Sequence, residues 1–414
     1  MRIRTAGVVA AMGLALAGAG CGSDTPSAEP SATAGAGGSL MIWADDKRTA
    51  ALKPLVAKFG QELGVTIEIQ AVSEDLHPKF VTASQSGNPP DIMIGAHDWI
   101  GNLVQNGAID PIQLTDAQRG SFAEIAVKGV TFNGQVYGVP YAVENLALFR
   151  NTELAPQAPA TLEELVAAGK QLKQSGKATE ILSMPVGQVG DAYHMYPLYT
   201  SGGGYLFGVK PDGEYDPKDV GVGNPASIAA FEKIRKLGEK GDGALKRSIG
   251  HENALSLFTG KKAAFMISGP WSIADVKKAG VKYEIEPIPG FAGAKPAQPF
   301  VGVQAFYVAA KGKNKAIAQE FVANYVTKPE LAKVLYDAEP RPPALTAAFD
   351  QVKASDPDVA KIMDAGKGGA IMPAIPAMAN VWDPFGKASA AIVGGAAVPA
   401  TVTAAGKSIT DKIK

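Results

Sequence analysis

The sequence predicts an α/β fold built on a largely parallel sheet. Short apolar runs of strand length, such as Leu40-Met41-Ile42-Trp43, Val65 to Val72 and Asp91 to Ile94, alternate with stretches of helical period. That alternation marks layered strand–helix–strand units. The 414 residues, 46% hydrophobic and 19% charged, suffice for two domains with sizeable cores.

The first run ends abruptly in Ala44-Asp45-Asp46-Lys47. Leu52, Leu55, Val56, Phe59 and Leu63 then recur at helical spacing, which predicts a helix over 49–63 with Pro54 in its early part. Leu76, Phe80, Val81 and Ala83 predict another helix, stopped by Gly87-Asn88-Pro89-Pro90. Asp98 precedes a helix expected over 99–105, where its carboxylate would serve as an N-cap, as a ligand group, or as both.

Asn133-Gly134 signals a hairpin. Glu144 interrupts two apolar runs, either as a solvated crossover residue or as a ligand group at a hinge. Thr161-Leu162-Glu163-Glu164 reads as a capping box. In Asp191-Ala192-Tyr193-His194-Met195-Tyr196, helical spacing puts Tyr193 and Tyr196 on nearby faces, one packed inward and one free to face a cleft. A helix follows with Ile228, Phe231, Ile234 and Leu237, and a short one is expected over 251–258. The strand 263–267 runs into Ser268-Gly269-Pro270-Trp271, a sharp turn that presents an indole either to the core or to a flat ligand. Residues 300–308 form a strand. Asn314 is a plausible N-cap for a helix over 314–326, and helices over 329–338, 344–353 and 357–366 make the last third mainly helical.

Lys+Arg equals Asp+Glu at 40 each, so the chain lacks the basic excess of a nucleic-acid binder and suits a neutral partner. Arg2 and Arg4, the apolar stretch from Ala6 to Ala19 and the single cysteine, Cys21, resemble a bacterial lipoprotein signal. Gly18 stands where such signals usually carry Leu. The expectation is a signal peptide over 1–20, a lipid on Cys21, and a flexible Ser/Thr/Pro/Ala/Gly-rich linker over 21–39. The folded part then starts near Leu40, extracytoplasmic and anchored to the cell membrane. No metal-spaced His/Cys cluster, phosphate loop or nucleophile elbow is present in the sequence, so no cofactor, metal or catalytic residue is expected.

All four Trp (Trp43, Trp99, Trp271, Trp382) and all four His (His77, His97, His194, His251) fall where strands or helices meet polar clusters. The carboxylates Asp46, Asp98, Glu144 and Asp191 lie among them. Aromatic faces with hydrogen-bond acceptors suit a carbohydrate, whose C–H faces pack on rings and whose hydroxyls donate to carboxylates.

With these segments in this order, the chain resembles the maltose/maltodextrin-binding proteins, the solute receptors of ABC importers. The similarity runs almost end to end from Leu40. It rests on Ile42-Trp43 with Asp46-Lys47, Pro90-Asp91-Ile92 with Ala96-His97-Asp98, and Pro140-Tyr141-Ala142-Val143-Glu144. It continues through Tyr196-Pro197, Gly203-Gly204-Tyr205, Ser268-Gly269-Pro270-Trp271, Pro299-Phe300-Val301-Gly302-Val303 and Ile371-Met372-Pro373 leading to Trp382. The resemblance implies a two-lobed, Venus-flytrap fold, each lobe a sheet flanked by helices, with the ligand in the cleft between them. The expected lobes are 40–143 with 304–352, and 144–303 with 353–414.

By position, Asp46, Lys47, Asp98 and Glu144 would supply polar contacts from the first lobe. Tyr193, Trp271 and Trp382 would be stacking platforms of the second, with Asp191 as an acceptor. Gly95 stands where the family has a Trp, Trp99 where it has an Arg, Pro78 where it has a Glu, and His251 where it has a Tyr. One aromatic wall is therefore expected to move from residue 95 to 99. The implied partners are an α-linked gluco-oligosaccharide and the permease subunits of an importer, the implied mechanism is hinge closure, and the protein is expected to be a monomer. Three alternatives stand: a receptor for another disaccharide such as trehalose, an exported glycoside hydrolase, which also pairs carboxylates with aromatics, and a surface adhesion or structural lipoprotein.

Overall fold

A computed structural model describes residues 38–211 and 213–413. The signal segment, Cys21 and most of the linker lie outside the described residues.

The Ser39–Ala44 strand opens a six-stranded sheet. It pairs in parallel with Thr66–Ala71 on one side and Ile92–Ala96 on the other. The long strand Phe300–Val308 then joins antiparallel to Ile92–Ala96, and Gly138–Asn145 joins antiparallel to it in turn. The sheet is therefore mixed, not largely parallel. Strand–helix–strand periodicity reports the first half of the chain, whereas a strand returning from the far end carries no local sign of its direction. All nine residues of Phe300–Val308 are buried, as a strand covered on both faces requires.

A second, three-stranded sheet has Ala147–Asn151 at its centre, antiparallel to both Phe265–Ser268 and Tyr283–Glu286. Two large apolar cores correspond to these sheets. One gathers residues from Leu40 to Val143 and from Val301 to Ala348. The other gathers residues from Leu146 to Phe300 and from Met372 to Ile409. The chain passes from one to the other between Val143 and Leu146, and again between Phe300 and Val301.

Four local expectations are corrected. The first helix begins at Asp46, with the Asp45 side chain accepting from the Arg48 N–H at 2.9 Å, so Pro54 sits inside it. Asp98 caps no helix. It lies within a 3-10 turn, His97–Trp99, ahead of the helix Ile100–Gln105, and neither element has a side-chain cap. Asn314 precedes its helix without a side-chain cap bond. The helix expected from His251 spans Ala254–Thr259, leaving His251 on the preceding turn. The hairpin stands as expected, with Asn133 and Gly134 both at positive φ, 49° and 75°.

Candidate functional site

The segment 185–194, the loop 247–252, Trp271, Arg341 and Trp382 enclose a cavity of about 860 Å³. That volume falls in the range of small-molecule sites, roughly 300–1,000 Å³. Asp191, Tyr193, His194, His251, Trp271, Arg341 and Trp382 are among its lining residues.

Its aromatic wall is built in layers. The helix Ala192–Ser201 starts at Asp191, whose Oδ1 accepts from the His194 backbone N–H at 2.9 Å. Most of that helix is buried, and Tyr196 stacks on Phe300 with ring centroids 3.5 Å apart and planes 4° from parallel. Tyr193, one turn earlier, packs on the same Phe300 at 6.2 Å and reaches Trp271 at 6.2 Å. Trp382 meets Phe300 edge-on at 6.1 Å. Tyr193, Trp271 and Trp382 are each half-buried, unlike Tyr196, which is buried. The Tyr193 hydroxyl is buried without a hydrogen-bond partner among the described residues.

Two glycines make this geometry possible. A Cβ on Gly269 would fall 2.3 Å from the Trp271 ring, so the indole folds back over its own turn and residue 269 has no room for a side chain. Gly190, at φ 87°, brings the loop before Asp191 against the backbone of Gly386 in the helix Trp382–Val393.

The polar groups form two linked sets. In the first, Glu144 is buried, accepts from Gln304 Nε2 at 2.9 Å and pairs with Arg341. Burial alone would raise the Glu144 carboxyl, but the Arg341 guanidinium outweighs it and holds the group below the usual carboxylate range. Arg341 also pairs with Glu339, which in turn meets Lys47 at 3.3 Å. The guanidinium lies over the Trp271 ring, 5.7 Å from its centroid. In the second set, Asp191 Oδ2 receives His194 Nδ1 at 2.8 Å and His251 Nε2 at 2.7 Å. Burial would raise Asp191, yet these hydrogen bonds hold it well below the ordinary range. The Asp191 hydrogen bond raises His251 in return.

Asp98 is buried and accepts a hydrogen bond from the Trp382 side chain. Burial pushes its carboxyl up to about 7 against the opposing hydrogen bonds from Trp382 and its own backbone N–H, and the charge of Glu144 adds to the rise. His97 is buried beside it. Its Nδ1 accepts from the Val303 N–H at 3.0 Å, so its Nε2–H donates to the Met372 carbonyl at 2.9 Å. Burial pushes this imidazole down to about 4. His97 is thus a neutral structural strut tying three segments together.

Of the residues singled out in the sequence, Asp191, Tyr193, His251, Trp271 and Trp382 line the cavity. Asp98 and Glu144 join it through Trp382 and Arg341. Lys47 stands at the exposed end of the Glu339–Arg341 chain, with its side chain mostly in solvent, and Asp46 is exposed in the same helical turn. Trp99 is not among the lining residues. Its ring fills the space beside Gly95, where a Cβ would fall 2.1 Å from it, and stacks on His77 at 5.1 Å. Sequence reasoning missed Arg341, Gln304 and Phe300 as parts of the site. Pro340-Arg341-Pro342-Pro343 could have flagged Arg341, because flanking prolines hold a charged residue on extended backbone. The Val143 N–H to Pro342 carbonyl bond of 2.9 Å aligns this segment with the strand that carries Glu144.

No helix among the described residues is long and apolar enough to cross a membrane. A family model described as bacterial extracellular solute-binding protein matches residues 54–361. The chain is 28% identical over 406 residues to the galactooligosaccharide-binding protein of Bacillus subtilis, covering 94% of this chain and 92% of that one. It is 28% identical over 375 residues to the maltooligosaccharide ABC transporter solute-binding lipoprotein of Streptococcus pneumoniae, covering 88% and 86%. The maltodextrin-binding protein of Bacillus subtilis is also 28% identical, over 353 residues, covering 83% and 82%. With a match over most of its length and a mixed α/β fold with two large apolar cores, the chain belongs to the bacterial extracellular solute-binding protein family.

Proposed function

We propose that the protein captures maltose/maltodextrin-type α-glucosides in this cavity and delivers them to an ABC importer. One observation carries the reading: three half-buried aromatic side chains, Tyr193, Trp271 and Trp382, flank one cavity that also holds the Asp191 carboxylate. Rings take the C–H faces of a sugar and the carboxylate takes its hydroxyls. The relatives named for maltooligosaccharide and maltodextrin binding support the same ligand class.

In this reading the lobes, 40–143 with 304–352 and 144–303 with 353–414, close about the crossings at 143–146 and 300–301. Asp98 and Lys47 approach the sugar from the first lobe and Glu144 from the crossing, with Asp46 and Trp99 at the margin. The receptor acts as a monomer, held to the cell membrane by a lipid on Cys21 after removal of residues 1–20. Glycoside hydrolysis is disfavoured because the relatives are named as binding proteins and Glu144 is committed to Arg341 and Gln304.

A second reading, another oligosaccharide or a disaccharide such as trehalose, is favoured by the galactooligosaccharide-binding relative. Thermal shift and Trp fluorescence against glucose, trehalose, maltose, longer maltodextrins and galactooligosaccharides separate the two. Stabilisation by maltodextrins above the others supports the first reading, and a response confined to another sugar replaces it with the second.

A further inference from the structure

We propose that Asp191, His194 and His251 bind a divalent transition-metal cation, zinc foremost, on the wall of the cleft. Each of these side chains offers one ligand atom, and the three atoms lie within 4.8 Å of one another. The His194 Nδ1 and His251 Nε2 atoms converge on one oxygen, Asp191 Oδ2, at 2.8 and 2.7 Å. A cation seated among them replaces the protons that now hold the cluster together. One carboxylate and two imidazoles form an N/O donor set suited to Zn²⁺, and three protein ligands leave a coordination position open. All three residues line the cavity, and the His251 side chain is 74% exposed, so the metal has a route in.

The contrast with His97 decides that these imidazoles are available. Both ring nitrogens of His97 are committed to backbone groups, which fixes its tautomer. His194 is equally buried, 2% exposed, but its Nε2 has no partner among the described residues. The Nδ1–H bond to Asp191 is the one hydrogen bond that metal binding displaces on this ring, and moving the proton to Nε2 creates a buried, orphaned donor whose cost the metal bond must offset. His251 needs the corresponding shift from Nε2 to Nδ1. When it is protonated, it releases one proton on binding. Sequence spacing hides the site, since His251 comes from a loop far from the Asp191-x-x-His194 turn.

The site stands on these three side chains and does not require the sugar reading. The test titrates ZnCl₂ into the tag-free chain by calorimetry without sugar, in a non-chelating buffer. Co²⁺ absorption reports coordination independently. The expected result is saturable binding of one Zn²⁺ per chain, weakened about 100-fold or more in His251→Ala, since even an outer partner of a ligand is worth 10–100-fold. His251 is exposed, so this variant is expected to fold. Asp191→Asn, with far-ultraviolet dichroism as a folding check, should lose the Co²⁺ band as well. No saturable binding, or an affinity that His251→Ala leaves unchanged, overturns the proposal.

Discussion

Arg341 lies over the face of Trp271, its Cζ 5.7 Å from the ring centroid, while the same guanidinium pairs with Glu144. One side chain thus joins the buried Glu144 carboxylate to the Trp271 ring on the cavity wall. Arg341→Ala would leave Glu144 buried with Gln304 as its remaining donor. Breaking a buried pair costs about 3 kcal/mol, because the stranded charge has lost its compensation. Urea denaturation should show a loss of that order, and a loss below about 0.5 kcal/mol would contradict this account of the pair.

Asp98 makes stability depend on pH. Its folded value, about 7, lies above the ordinary 3.8, so the folded state holds the proton more tightly than the unfolded chain. The stabilisation is fully present below about pH 4 and is lost as pH rises through 7. Asp98→Asn should flatten the stability profile between those limits, as measured by chemical denaturation at several pH values. A profile equally steep in the variant would place the titrating group elsewhere.

His97 acts in the opposite sense. Its folded value near 4 lies below the ordinary 6.5, so its contribution is present above pH 6.5 and is lost as pH falls through 4. His97→Ala orphans the Val303 N–H and the Met372 carbonyl, at about 1–3 kcal/mol for each group left buried. A melting temperature matching that of the parent protein would show that these bonds are replaced.

Lys47→Ala should leave stability within about 1 kcal/mol, because the Lys47 side chain is mostly in solvent and Glu339 keeps its pair with Arg341. A drop in sugar affinity in this variant, measured by calorimetry, would then report a direct contact. Unchanged affinity would remove Lys47 from the site.

The elements were legible where local chemistry sets them. Apolar periodicity located the helix Pro225–Leu237 and the strand Phe300–Val308, and Ser268-Gly269-Pro270-Trp271 marked a turn that offers its indole to the cavity. The direction of Phe300–Val308 was not legible, because strand pairing depends on partners from the far end of the chain. Asp98 read as an N-cap, a ligand group or both, because an acid before a helix often caps it. Here a short 3-10 turn rotates it toward Trp382. Arg341 and the Asp191–His194–His251 cluster escaped notice for one shared reason: their partners meet through the fold, not through sequence spacing.

Calorimetric titration of a maltodextrin into the wild-type protein and Trp271→Ala tests the central claim most directly. The account predicts one saturable site in the wild type, no hydrolysis of the sugar, and a loss of roughly tenfold or more in Trp271→Ala, which keeps its fold. Absence of binding by any α-glucoside, or equal losses of affinity and stability in Trp271→Ala, would contradict it.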